Sequence, residues 1–118
     1  MIPDYSNSNF NHLIKNVVLL SNIRRNDISK VKMKFELIDN SILYLSEVTI
    51  KESQWFEYGY QWVSVENSLI TRWDNSPHHN HISSFPFHQH IGIDSNVQPS
   101  EPMNLEKVFL HIEKIISI

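Results

Sequence analysis

The sequence predicts an α+β fold, an antiparallel meander of four to five strands with an N-terminal helix and a C-terminal helix packed on the sheet. Three patterns predict it. Val31, Met33, Phe35 and Leu37 alternate with Lys32, Lys34 and Glu36, the period of two that marks a half-buried strand. Phe56, Tyr58, Tyr60 and Trp62 share one parity against Glu57, Gly59 and Gln61, giving a strand with one aromatic face. Near the C-terminus Leu105, Val108, Phe109, Ile112, Ile115 and Ile116 fall on one helical stripe, with Glu106, Lys107, Glu113 and Lys114 turned to water.

In chain order, Phe10, Leu13, Ile14, Val17 and Val18 recur at spacings of three and four, which fits a short amphipathic helix over Asn9 to Leu20. The β-branched pair Val17 and Val18 also fits the start of a strand. The strand ending at Leu37 meets turn chemistry at Asp39-Asn40-Ser41, and Ile42 to Ile50 returns from it as a hairpin partner carrying Glu47. Trp55 to Val65 follows. A polar break at Glu66-Asn67-Ser68 then leads to a further strand, Leu69 to Asp74, stopped by the Pro77 loop. Asn96 to Pro102, with two prolines and two serines, reads as loop, and Asn104 is placed to cap the final helix.

Composition narrows the function classes. A length of 118 residues is that of one domain, expected to span 1–118. With no cysteine, disulfide scaffolds, thiol catalysis and Cys-type zinc fingers are excluded. Two glycines, Gly59 and Gly92, cannot build a Gly-rich phosphate loop. A formal charge of -3 lacks the basic excess of a generic nucleic-acid binder. The start MIPDYSNSNFNH has no signal-peptide pattern, and no apolar run approaches the roughly 20 residues of a spanning helix, so a cytoplasmic protein that does not cross a membrane is expected.

Histidine is where the sequence concentrates chemistry. Of seven histidines, His78, His79, His81, His88 and His90 fall within 13 consecutive residues. In extended chain His88 and His90 point to one face. Imidazole both takes and gives a proton near neutral pH, so one reading is acid/base cleavage of RNA. A histidine pair deprotonates a ribose 2′-hydroxyl and protonates the leaving 5′-oxygen, while Arg72 stabilises charge on the phosphate. A second reading is a metal site of three imidazoles with Asp74 or Glu47, holding zinc or another divalent ion. A third makes the histidines polar surface residues that hydrogen-bond turns. Arg72 and Asp74 share parity at the end of a strand and fit either a pocket or a plain ion pair. Asp74-Asn75-Ser76-Pro77 is a ready turn. The aromatic face fits a core, and Tyr58 and Tyr60 are kept as contacts on which RNA bases could stack.

The strand with Glu47, the aromatic strand FEYGYQW, then RWDNSPHH, FPFHQH and a PSEP lead into the last helix occur in an order that resembles the TumE-type toxin family of bacterial and archaeal toxin-antitoxin modules. The resemblance covers about Val31 to Ile116. The family pattern of Arg, an aromatic residue, Asp-Asn, a small residue and Pro-His-His corresponds to Arg72 through His79. Its Phe-Pro-His-His-Lys-His motif corresponds to Phe85 through His90, with departures at Phe87 and Gln89. The resemblance implies a growth-inhibiting toxin, a cognate antitoxin of small helix-turn-helix type and an RNA target. It draws the catalytic set to Arg72, Asp74, His78, His88 and His90, with Tyr58, Tyr60, Asn75 and His79 toward substrate. His81, Phe87 and Gln89 fall back to scaffold, and no cofactor is expected unless a divalent ion sits at the His cluster. The alternative is a non-catalytic or metal-binding module whose His-rich loop binds a protein partner.

Overall fold

The computed structural model describes residues 9–116. Residues 1–8, part of the stretch read as lacking a signal peptide, and the last two residues of the expected domain lie outside the described ones. Seven strands form one sheet: β1 (Ile14–Arg25), β2 (Ile28–Leu37), β3 (Ile42–Ile50), β4 (Trp55–Val63), β5 (Leu69–Asp74), β6 (His88–Ile91) and β7 (Val97–Pro99). They lie in sequence order, and every neighbouring pair is antiparallel. One helix, α1 (Leu105–Ile115), follows, its first turn closed by Asn104 Oδ1 accepting from the Lys107 amide at 2.9 Å.

Alternation divides the sheet into two faces. Met33, Phe35, Leu43, Leu45, Tyr60, Trp62 and Trp73 are buried together with Val108, Phe109 and Ile112 of α1, so the helix covers this face. Phe109 meets the Phe35 ring edge-on at 5.3 Å and stacks on Phe10 at 5.5 Å. The Trp62 indole N–H, the one polar group of that large buried ring, donates to Ser41 Oγ at 2.9 Å. Ser41 sits in the β2–β3 turn, where Asp39 Oδ1 accepts from its amide and Asn40 takes a φ of 71°. The opposite face carries no helix.

Two expectations are corrected. In place of the N-terminal helix, a single 3₁₀ turn at Asn11–Leu13 leads into the 12-residue strand β1. Spacings of three and four were present, but pairing with β2, Val17 opposite Phe35, satisfies the backbone of a β-branched segment better than an isolated helix would. Only Phe10 and Leu13 of the proposed stripe reach the core, while Val17 stays 41% exposed. The sheet also has seven strands, where four to five were expected, because β6 (HQHI) and β7 (VQP) are too short and polar to show alternation. β7 lies inside the segment read as loop. On α1, Ile115 turns outward at 57% exposure and leaves the apolar stripe. No helix among the described residues is long and apolar enough to cross a membrane.

Candidate active site

β5 places its side chains alternately, so Trp73 enters the core and Arg72 and Asp74 emerge on the uncovered face. β6 pairs with it so that His88 lies opposite Asp74 and His90 opposite Arg72. Directly opposed residues share a face, which brings all four side chains together.

Asp74, 3% exposed, is the hub. Its Oδ1 lies 2.7 Å from His88 Nε2, and its Oδ2 lies 3.2 Å from Arg72 Nε and 3.4 Å from His90 Nε2. Oδ1 also accepts from the Ser76 amide at 3.2 Å. The far nitrogens of the two imidazoles are held as well. His88 Nδ1 donates to the Pro86 carbonyl at 3.0 Å, and His90 Nδ1 donates to the Asp94 carbonyl at 2.7 Å. A carbonyl oxygen only accepts, so Nδ1 carries the proton in both rings. Their Nε2 atoms are thereby turned toward the Asp74 carboxylate. Two rings, each fixed by Nδ1 on a backbone carbonyl, thus pack around one buried carboxylate.

His79 completes the group. It follows Pro77 in the β5–β6 loop and takes a φ of 55°, the left-handed region. Asn26, Asn40, Gln54 and Asn67 do the same elsewhere in the chain. Here the conformation lays its ring at 5.1 Å from His88 and 5.8 Å from His90, with His81 on its outer side at 5.9 Å. Unlike the other two, the His79 ring has no hydrogen bond among the described residues and is partly exposed. Desolvation, reinforced by His88, His90 and His81 and opposed by Asp74, pushes its pKa below the ordinary imidazole value. His79, His88 and His90 each offer a nitrogen, and these atoms lie within 4.8 Å of one another, so the three could share a cation.

A family model described as Toxin TumE matches residues 10–117. The chain belongs to the TumE toxin family. No curated protein and no solved structure matches it. Membership makes it the toxin of a toxin-antitoxin pair, with an antitoxin as partner.

In this TumE chain the two motifs read from sequence meet across the β5–β6 pairing. Arg72, Asp74, His88 and His90 are brought together, and of the two histidines after Pro77 it is His79 that joins them. His78 lies exposed on the loop, and His81 touches only the edge of the group through His79. Tyr58 and Tyr60 lie on the helix-covered face, 4% and 0% exposed, and present no ring to a base from solution. The Tyr58 hydroxyl accepts from the Met103 amide, and burial raises its pKa, whereas the Tyr60 hydroxyl donates to Glu47. Glu47 shares parity with Leu43 and Leu45 and so faces away from the histidines. Asn75 is a brace: its Oδ1 accepts from the Tyr58 amide and its Nδ2 donates to the Phe56 carbonyl, both at 2.8 Å, fixing the exit of β5 against β4. Sequence reasoning missed the Pro86 and Asp94 carbonyls that orient the rings. Backbone acceptors leave no trace in side-chain identity.

Proposed function

We propose that this toxin is a metal-independent, histidine-dependent endoribonuclease that inhibits growth by cutting RNA in the cytoplasm and is neutralised by a small helix-turn-helix antitoxin. One observation carries the reading. Two imidazoles have Nδ1 held on a backbone carbonyl and Nε2 turned to the Asp74 carboxylate, while a third, His79, packs against them with free nitrogens and a lowered pKa. A ring pushed toward its unprotonated form beside rings that face a carboxylate is the arrangement we assign to general acid–base catalysis.

In the reaction, His79 takes the proton of a ribose 2′-hydroxyl as its oxygen attacks the adjacent phosphorus. The P–O5′ bond breaks, and the proton held at His90 Nε2 passes to the departing 5′-oxygen. The products are a 2′,3′-cyclic phosphate and a free 5′-hydroxyl. His90 is the better donor of the two because its hold on Asp74 is longer, 3.4 Å against 2.7 Å for His88. His88 and Asp74 position it. Arg72 spends its Nε on Asp74 and turns its terminal N–H groups, on a 40% exposed side chain, to the phosphate.

A divalent-metal reading has one observation in its favour. An Nδ1–H on a backbone carbonyl is the usual support of a metal-bound histidine, and His88 and His90 both have it. Binding at Nε2 would first have to displace the Asp74 contact at 2.7 Å. The two readings separate on treating labelled single-stranded RNA with purified toxin, with and without chelator. Cleavage insensitive to EDTA, with cyclic phosphate ends, is expected. Activity abolished by EDTA and restored by a divalent ion would transfer the site to metal chemistry, and no cleavage under either condition would favour a binding module.

Because the base must be unprotonated, kcat/KM should rise with pH through the titration of His79. That limb should lie below the ordinary imidazole range, the direction in which its surroundings push it. Ring-carbon NMR of the seven histidines checks it, the His79 signals being assigned by substitution. A His79 midpoint above the ordinary value would sink the assignment of the base.

A further inference from the structure

Beside the histidine cluster, the uncovered face of the sheet holds a groove of about 260 Å³ running from Leu20 of β1 across β2, β3 and β4 to β5. Lys32 stands next to Leu20 toward one end and Arg72 at the other, with Tyr44, Ser46, Gly59 and Gln61 between the two cations. We propose that this groove is the track for a single strand of RNA, its phosphates held by Lys32 and Arg72 and its chain led over Gly59 into the site. The proposal deepens the ribonuclease reading and rests on it.

Charge supports this first. The chain is acidic overall, yet no carboxylate lines the groove, and Lys32 has no ion-pair or hydrogen-bond partner among the described residues. Lys30 and Lys34 flank it on the same face of β2, Lys34 being 3.7 Å from Glu36. The site is thus approached from a locally cationic surface, which is what backbone recognition of a nucleic acid needs. Lys32 and Arg72 lie three strands apart, about 14 Å at the usual strand spacing. That span and the small volume suit one strand, not a double helix. Half-buried Tyr44 supplies an aromatic ring of the kind on which a base stacks.

Gly59 is the second, independent support. A glycine inside a strand weakens it and often marks a close approach by something else. It lies directly opposite Asp74, and a Cβ built there would meet no atom within 4 Å. Its φ is not positive, so nothing in the backbone demands glycine. The space above it belongs to the groove.

The test uses a short labelled single-stranded RNA made uncleavable by 2′-O-methyl groups, with binding followed by fluorescence anisotropy across a salt series. Gly59→Val adds a β-branched side chain that suits a strand and fills only the groove, and Lys32→Ala removes one cation from the surface. Each is expected to weaken binding about tenfold while melting as wild type does, and Lys32→Ala should reduce the slope of log affinity on log salt by about 0.7. Wild-type affinity and salt slope in both folded variants would overturn the track. So would unchanged RNA affinity with weakened antitoxin binding, since the groove would then belong to the protein partner. If RNA binding depends on Lys32 and Gly59 but unmodified RNA stays uncut, the track stands and the cleavage chemistry fails.

Discussion

Asp74→Ala is expected to lower the free energy of unfolding by about 3 kcal/mol and to abolish RNA cleavage. The carboxylate is buried and meets His88, His90, Arg72 and the Ser76 amide. Removing one partner of a buried charge cluster usually costs about 3–5 kcal/mol because the others are left uncompensated. The Arg72 side chain, 40% exposed, keeps water as an alternative partner, which places the value at the lower end. Asp74→Asn separates structure from chemistry. It keeps the volume and one accepting oxygen, but points an amide donor at rings that need an acceptor. It should recover part of the stability and none of the activity. Urea unfolding measures the first quantity and RNA cleavage the second. A loss of stability below about 0.5 kcal/mol in Asp74→Ala would mean that the carboxylate does not hold the cluster together.

His79→Ala should behave in the opposite way. Its ring is partly exposed and carries no hydrogen bond, so the fold should survive, while removal of a general base typically slows the chemical step by about 10²–10⁴-fold. Substituting the exposed neighbour, His78→Ala, should leave cleavage within about twofold, since a surface side chain that touches nothing contributes little. Equal losses in the two variants would remove His79 as the base. His88→Ala would be a poor substitute for this experiment, because it breaks the contact to Asp74 and confuses stability with chemistry.

The residues that form the cluster were legible because their spacing encodes a face. Arg72 and Asp74 two apart, and His88 and His90 two apart, each announce a shared direction if both segments are extended. That the two segments pair with each other was not legible, since β6 is four residues of mixed polarity. The pairing exists because Asp74 and His88 meet across it, which is a tertiary fact. From sequence His78 falls in the catalytic set and His79 toward substrate, whereas the left-handed turn at His79, which residue type does not announce, turns the His79 ring inward. The helix stripe through Val108, Phe109 and Ile112 was clear because a helix burying one face repeats its apolar residues at a fixed period. The same rule misled at Phe10 to Val18, where a partner strand claimed the segment. Tyr58 and Tyr60 illustrate a further limit: alternation shows that two rings share a face, but not which face is covered.

The order of the sheet has a consequence for how the molecule fails. β1 to β4 run for 12, 10, 9 and 9 residues, whereas the three strands that carry or adjoin the histidine cluster run for 6, 4 and 3. β6 and β7 lie at the far margin of the meander, and among the described residues no strand pairs with β7 on its outer side. Units of this kind open at a free energy below that of global denaturation. Peeling away this margin parts His88 and His90 from Asp74 while leaving the packing of Phe35, Trp62 and Phe109 intact. Loss of the cluster and loss of the folded state are therefore expected as separate transitions, the first at the lower free energy.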